Sequence, residues 1–224
     1  MKYTTKYIAP TVTVDLALFQ VINDKLNILL LNRPNDPFKG RWALPGGYVP
    51  QGETTLEALR RVIAYKVGID THRVAHLEQL HVFDAVARDP RGHAVAVTYS
   101  GYSGDIAPET LSQTAQFFEV DHLPPLVFDH GDIIGYALHR LRNRISYTNL
   151  AQTFMPREFT LTELQNTYQA ILGKALDKRN FRKRIIGLDM AHETGQTTKN
   201  GAHRPAKLYT FNSPEIAVLK SKQF

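Results

Sequence analysis

The chain has 224 residues and a formal net charge of +6, with 43% hydrophobic residues, 21% charged residues and no cysteine. This composition excludes a disordered protein and a disulfide-stapled scaffold, and the length suits one large or two small domains. There is no run of 18 apolar residues and no charged-then-apolar start, so we expect a cytoplasmic protein without a membrane partner.

The positive charge is concentrated in the last third of the chain. Residues 1–148 carry 15 Lys and Arg against 15 Asp and Glu, whereas residues 149–224 carry 12 against 6. Such an asymmetry predicts a polyanionic partner for the last third. The alternative is a basic domain that only improves solubility.

The part before residue 148 is predicted to contain several strands and two helices. Apolar Val12, Val14, Leu16 and Leu18 alternate with smaller or polar residues, which is the period of a half-buried strand. The further predicted strands cover residues 26–31, 75–83, 94–102 and 117–120. A helix over residues 129–143 leads to a polar stretch, so we expect an α+β protein with domains 1–148 and 149–224.

A glycine-opened loop followed by a helix lies within residues 47–69. Thr54 or Thr55 would cap the start of the helix, and Gly68 would end it. The stretch resembles the Nudix box. The residues that match its pattern are Gly47, Glu53, Arg61, Ile63, Gly68 and Ile69, preceded by the WALPGG segment 42–47. The resemblance implies a Nudix-like α/β/α sandwich with a mixed sheet.

The acidic cluster of the Nudix box is missing. Active members of the family bind Mg²⁺ through three glutamates, and Val62, Tyr65 and Lys66 occupy their positions here. Mg²⁺ requires oxygen ligands in near-octahedral geometry. Two like unit charges 4 Å apart repel by about 4 kcal/mol at an effective dielectric near 20, and a divalent ion doubles this. We therefore predict a pocket that senses a nucleotide, without catalytic residues, metal or cofactor.

Five charged residues are the candidates for binding the ligand: Arg33, Glu53, Arg61, Arg88 and Arg91. Arg33 ends the second strand, where Nudix proteins often have an arginine. Glu53 and Arg61 have an alternative role as a salt bridge between loop and helix. Arg88 and Arg91 flank a predicted type I turn, which is either a plain hairpin turn or a phosphate-binding loop. Trp42 is interpreted as a structural anchor.

The last third is predicted to contain two helices joined by a short turn. Thr160 and Glu163 form a capping box before the first helix, which ends at Gly173. Asp177 caps a second helix over residues 178–188. Its apolar stripe consists of Phe181, Ile185 and Leu188, and the opposite face is mostly cationic. This arrangement is typical of a helix-turn-helix.

Residues 192–201 and 204–211 read as a basic hairpin, and a hairpin after a helix-turn-helix is a wing. The alternative for the cationic helix face is a solvated charged surface. The residues predicted to bind DNA are Lys178, Arg179, Asn180, Arg182, Lys183, Arg204 and Lys207.

The whole chain resembles the Nudix-related transcriptional regulators, the NrtR family. Its marks are the TVTVDLALF strand, the altered Nudix box and the segments RDPRG, EFTLTELQ and DKRNFRKR. The resemblance implies a homodimeric repressor that binds a palindromic operator. Many members control NAD synthesis and salvage genes and sense ADP-ribose or a related nucleotide, so we expect ADP-ribose, NAD or ATP as the effector.

Three alternatives remain open. The first is a regulator of the same build that responds to a pentose, as in a branch of the family that senses arabinose. The second is an active Mg²⁺-dependent ADP-ribose pyrophosphatase, which would need Glu53, Glu57 and a distant acid such as Asp84 or Glu119. The third is an RNA-binding module, which is disfavoured because the sequence has no aromatic-rich sheet motif.

Overall fold

Seven strands form one mixed sheet in the first part of the chain. The computed structural model describes residues 8–198 and 205–219. The strands are β1 (Thr11–Ile22), β2 (Lys25–Asn32), β3 (Trp42–Ala43), β4 (Gly46–Tyr48), β5 (His76–Phe83), β6 (Ala94–Ser103) and β7 (Ala115–Glu119). The main path is β3-β2-β1-β6-β5, with β4 paired to β1 and β7 paired to β2. Only the β1–β6 pair is parallel among these pairings, so the prediction of a mixed sheet is confirmed.

Four α-helices accompany the strands within residues 8–198 and 205–219. They are α1 (Thr55–Val62), α2 (His130–Tyr147), α3 (Leu161–Leu172) and α4 (Lys178–Gly187). Short 3₁₀ turns cover Thr71–Arg73, Pro108–Thr110 and Leu150–Phe154. None of the helices in the described ranges combines the length and the hydropathy that a membrane crossing needs.

The central strand β1 is buried on both faces, so the expectation of a half-buried strand was wrong. Val14, Leu16 and Leu18 pack with residues of α1 in one apolar cluster. Ala17 and Phe19 point to the other face and join a second cluster with α2 and α3. Since helices cover both sides of the sheet, the small or polar residues between the large ones are also enclosed. The result is the α/β/α sandwich.

The helix of the Nudix-like stretch begins with a capping box at Thr54. The Thr54 hydroxyl accepts a hydrogen bond from the Glu57 backbone N–H, and the Glu57 carboxylate accepts one from the Thr54 N–H at 2.7 Å. After Val62 the chain continues as a π-helical turn, Ile63–Val67. Gly68 ends this turn with φ of 86°, a conformation that favours glycine. The predicted start and end of the helix are therefore confirmed.

The last third folds as a winged helix. Its hairpin consists of β8 (Ala191–Thr198) and β9 (Ala206–Phe211), which pair antiparallel. The expected caps at Thr160, Gly173 and Asp177 are all present. Arg204 lies outside the described residues. Helix α2 runs one turn beyond its predicted end because Ile145 extends its buried stripe.

A continuous apolar core joins the sheet to the winged helix. It includes Phe19 and Ile28 of the sheet, Leu141 of α2, Leu164 of α3 and Phe181 of α4. The two parts therefore share one hydrophobic core, and the domain boundary near residue 148 stays a prediction.

Candidate functional site

A cavity of about 660 Å³ opens beside the Nudix-like loop. Its size is in the range of small-molecule sites. It is bounded by the end of β2, by β4, by the turn before β6 and by the start of α2. The charged residues and His130 in its lining are Asp15, Arg33, Asp36, Lys66, Arg88, Asp89, Arg91 and His130, and its aromatic residues are Tyr48, Tyr65 and Phe128.

A buried charge cluster forms the floor of the cavity. Arg88 donates hydrogen bonds of 2.8 and 2.7 Å to the two carboxylate oxygens of Asp129 and lies 3.5 Å from Asp15 Oδ2. Burial raises the pKa of Asp15 to about 6, although the charge of Arg88 acts in the opposite direction. The predicted ligand residue Arg88 lines the cavity, but its guanidinium is already held by carboxylates.

His130 connects this floor to the WALPGG segment. Its Nδ1 accepts a hydrogen bond of 2.8 Å from the backbone N–H of Leu44, and its Nε2 lies 3.8 Å from Asp15 Oδ1. Burial lowers the pKa of His130 to about 3. The ring is therefore neutral at pH 7, with its proton on Nε2 because Nδ1 is an acceptor.

Two arginines meet over one aromatic ring at the rim. The guanidinium carbons of Arg33 and Arg91 lie 4.9 and 5.7 Å from the ring centre of Phe128. Arg91 is paired with Asp89. Burial, followed by the charge of Arg91, lowers the pKa of Arg33. Both residues were predicted to bind the ligand, and the structure places them side by side on the cavity wall.

The predicted candidates Glu53 and Arg61 lie beside the cavity and are absent from its lining. Arg61 Nε donates to both Glu53 carboxylate oxygens at 3.0 and 3.1 Å, and its Nη2 donates to the Tyr48 carbonyl at 3.0 Å. This geometry fits the structural alternative, a clamp between the loop and α1. The same clamp holds β4 in position at the edge of the cavity.

The three residues at the glutamate positions have different surroundings. Val62 is 1% exposed and packs in the core, whereas Tyr65 is 83% exposed. The ammonium of Lys66 donates a hydrogen bond of 2.6 Å to the carbonyl oxygen of Gly46. Burial, followed by the charge of Arg33, lowers the pKa of Lys66.

This donor set does not fit Mg²⁺. Val62 offers methyl groups, Tyr65 a phenol and Lys66 a cation, whereas the ion needs carboxylate oxygens. The acids that an active pyrophosphatase would require are also elsewhere: Glu53, Glu57, Asp84 and Glu119 do not line the cavity. Over residues 8–198 and 205–219, no group of three or more His, Cys, Asp or Glu is placed to hold a metal ion.

Helix α4 presents its basic residues to solvent. Phe181 and Ile185 are buried against α3 and the hairpin, whereas the predicted DNA-binding residues on the helix are exposed: Lys178, Arg179, Asn180, Arg182 and Lys183. The Asp177 side chain accepts from the Asn180 N–H at 2.9 Å and fixes the start of the helix. Within the described chain, no carboxylate pairs with any of these four cations.

The wing contributes less positive charge than expected. Lys207 Nζ lies 2.8 and 2.9 Å from the two carboxylate oxygens of Glu193 on the neighbouring strand. The hydroxyl of Tyr209 donates to the same carboxylate at 3.1 Å. The charge of Lys207 is thus offset locally, which the sequence did not reveal because the two residues are 14 positions apart.

Both parts of the chain match known domain families. The NUDIX domain profile matches residues 12–137, and the profile of the NrtR DNA-binding winged helix domain matches residues 151–211.

Three relatives illustrate the similarity. The ADPR responsive transcriptional repressor NtrR of Acinetobacter baylyi is 40% identical over 213 residues, covering 92% of this chain and 83% of the relative. The ADP-ribose pyrophosphatase of Methanocaldococcus jannaschii is 39% identical over 130 residues, covering 57% of this chain and 73% of the relative.

The third relative is NrtR of Shewanella oneidensis, whose crystal structure with a 27mer DNA has 30% identity and a TM-score of 0.77. That match covers 91% of this chain and 94% of the other. The NUDIX domain of the same protein with bound ADP ribose has 31% identity and a TM-score of 0.53, over 60% of this chain and 90% of that one.

Proposed function

Since the chain belongs to the NrtR family, in which a Nudix domain precedes a winged helix, we propose that it is a transcriptional repressor controlled by ADP-ribose. The winged helix binds double-stranded operator DNA, and the cavity of the Nudix domain binds the nucleotide without hydrolysing it. The observation that carries this proposal is the combination of a cavity lined by several cations with a solvent-exposed basic face on α4.

The cavity suits a nucleotide with a diphosphate. Arg33, Lys66 and Arg91 place positive charge on one wall, and the rings of Tyr48 and Phe128 give a base a surface to stack on. The repressor of Acinetobacter baylyi is ADPR responsive, and the NUDIX domain of the Shewanella oneidensis protein binds ADP ribose in its crystal structure. NAD and ATP also contain a diphosphate. We rank them behind ADP-ribose because these two relatives point to ADP-ribose.

The basic face of α4 suits the major groove. Its unpaired cations can contact phosphates, and Asn180, Arg179 and Arg182 can reach base edges. We propose a homodimer on a palindromic operator, because two winged helices match half-sites about 34–36 Å apart. The proposed targets are NAD biosynthesis and salvage genes, and the proposed compartment is the cytoplasm.

Hydrolysis is the second candidate, because a relative 39% identical is an ADP-ribose pyrophosphatase. The cavity argues against it here, since none of the required acids lines it. A pentose-responsive regulator is disfavoured by the same cavity, because a neutral sugar would leave the charges of Arg33 and Lys66 unbalanced.

A thermal-shift comparison of ADP-ribose, NAD, ATP and arabinose tests the ligand class. A ligand present at 100 times its dissociation constant stabilises the protein by about 2.7 kcal/mol. We expect the largest shift with ADP-ribose and none with arabinose. Turnover of ADP-ribose in Mg²⁺ at rates of ~1 s⁻¹ or more would contradict the proposal and show that the protein is a hydrolase.

A further inference from the structure

Lys66 occupies a defined position in the cavity wall. It lies in the π-helical turn Ile63–Val67, and its ammonium is held at 2.6 Å by the carbonyl oxygen of Gly46. An ammonium has several donors, of which Gly46 uses one. The remaining donors are available to a group bound in the cavity, which Lys66 lines.

Two of the cations that line the cavity are not paired with a carboxylate in the described part of the chain. Arg88 and Arg91 are each paired with carboxylates. Arg33 and Lys66 line the same cavity, and within the described ranges neither forms an ion pair with a carboxylate. A diphosphate that links two sugars carries one negative charge on each phosphoryl group. Each of its two charged phosphoryl groups can therefore pair with one of these two cations.

The backbone beside Lys66 leaves room for such a group. A Cβ added to Gly47 would lie 3.5 Å from Lys66 Nζ and 3.0 Å from Val62 Cγ2. The bare glycine thus keeps a side chain away from the ammonium. Val62 adds only a packed apolar surface and the Tyr65 ring is mostly exposed, whereas Lys66 brings a charged donor into the cavity lining.

We propose that the Lys66 ammonium replaces the divalent cation of Nudix enzymes, so that the diphosphate is bound directly by a side chain and independently of Mg²⁺. This inference rests on the proposed function, and it identifies Lys66 as the residue through which the cavity binds the diphosphate. The ammonium is part of the protein and is therefore always present. The occupancy of the cavity then depends on the concentration of the nucleotide and not on that of Mg²⁺.

Isothermal titration of the full-length protein tests the inference, with ADP-ribose as the first probe and inorganic pyrophosphate as the second. Each titration is run in EDTA and in millimolar Mg²⁺. We expect the dissociation constant of ADP-ribose for the natural protein to agree within about twofold between the two buffers, since a charged donor bound to the protein needs no metal.

Three variants separate charge from shape. Lys66→Met removes the ammonium and should weaken binding about 10- to 100-fold in both buffers, because a hydrogen bond to a charged group is lost. Lys66→Arg keeps the charge and should keep binding independent of Mg²⁺. Lys25→Met, at an exposed lysine away from the cavity, is the matched control. Thermal melting of each variant verifies that it is folded.

Two results would overturn the inference: a more than tenfold loss of affinity of the natural protein in EDTA, or unchanged binding by a folded Lys66→Met protein. If pyrophosphate binds without Mg²⁺ and through Lys66 but ADP-ribose does not bind, the inference stands and the proposed effector is wrong. If neither probe binds, both are wrong.

Discussion

Arg142 of α2 donates a hydrogen bond of 2.9 Å from its Nε to the backbone carbonyl oxygen of Ile171, in the last turn of α3. The same helix α2 begins at the cavity, where Asp129 precedes its first residue, His130. One helix therefore reaches from the ligand site to the winged helix. Because both ends are packed into a shared core, α2 is the element through which the two sites can influence each other.

We expect Arg142→Ala to weaken the coupling between ADP-ribose and DNA by about 0.5–2 kcal/mol while each ligand alone still binds. The coupling is measured from the affinity of ADP-ribose with and without saturating operator DNA. Arg140→Ala is the control on the same helix, since Arg140 contacts Leu80 and Tyr136 of the Nudix domain and not α3. If the coupling is equal in the two variants, the contact between α2 and α3 does not link the two sites.

The second prediction concerns the buried charge cluster. Arg88→Ala leaves Asp129 and Asp15 without their cation, so we expect the free energy of unfolding to fall by about 3–5 kcal/mol. Arg91→Ala breaks a partly exposed pair with Asp89 and should cost about 0–1 kcal/mol. Urea unfolding of both variants measures the difference. Similar losses in the two proteins would show that the buried charge cluster stabilises the fold no more than the pair at the rim.

The third prediction concerns acid stability. Burial lowers the pKa of His130 from an ordinary 6.5 to about 3, so the unfolded chain binds a proton that the folded protein does not. This residue's contribution to stability is therefore full above pH 6.5 and is lost as the pH falls toward about 3. Asp15 contributes in the opposite sense. Because its pKa is raised to about 6, its contribution to stability grows as the pH falls below that value.

His130→Gln should remove the first effect and keep the second. The free energy of unfolding of the variant should then fall less steeply with acid, by up to about 1.4 kcal/mol per pH unit. Urea unfolding at a series of pH values gives both curves. Parallel curves would mean that the pKa of His130 is the same in the folded and the unfolded protein.

The fourth prediction concerns the basic face of α4. Lys183→Ala should reduce the slope of log affinity against log salt by about 0.9, the value for one lost phosphate contact. Lys207→Ala should change it less, because Glu193 already offsets this charge. Lys25→Ala, outside the winged helix, is the control. Fluorescence anisotropy over a salt series measures the slopes, and a slope unaltered by Lys183→Ala would place the DNA on another face.

The basic helix could be predicted in detail because its signals are local. Asp177, the apolar stripe and the cations between its members all lie within a few helical turns. The cavity could not, because its floor joins Asp15 to Arg88 across 73 positions. One signal was present in the sequence: Asp15 is the only charged residue of β1, and a buried acid requires a partner.

The role of Lys66 was also out of reach from the sequence. The Nudix box pattern groups Val62, Tyr65 and Lys66 as replaced glutamates, but it does not show that the Lys66 ammonium is held by the Gly46 carbonyl in the wall of the cavity. Its position depends on the π-helical turn after α1, which alters the direction of the side chains that follow Val62. Periodicity of apolar residues does not encode such a turn.

The most direct test measures the binding of a duplex, selected from a random pool for affinity to this protein, with and without ADP-ribose. We predict that ADP-ribose changes the affinity for this duplex at least about fivefold, and that the duplex changes the affinity for ADP-ribose by the same factor. Chromatography of the mixture should recover the ADP-ribose intact. An affinity for the duplex that ADP-ribose does not change, or rapid cleavage of the nucleotide, would contradict the account.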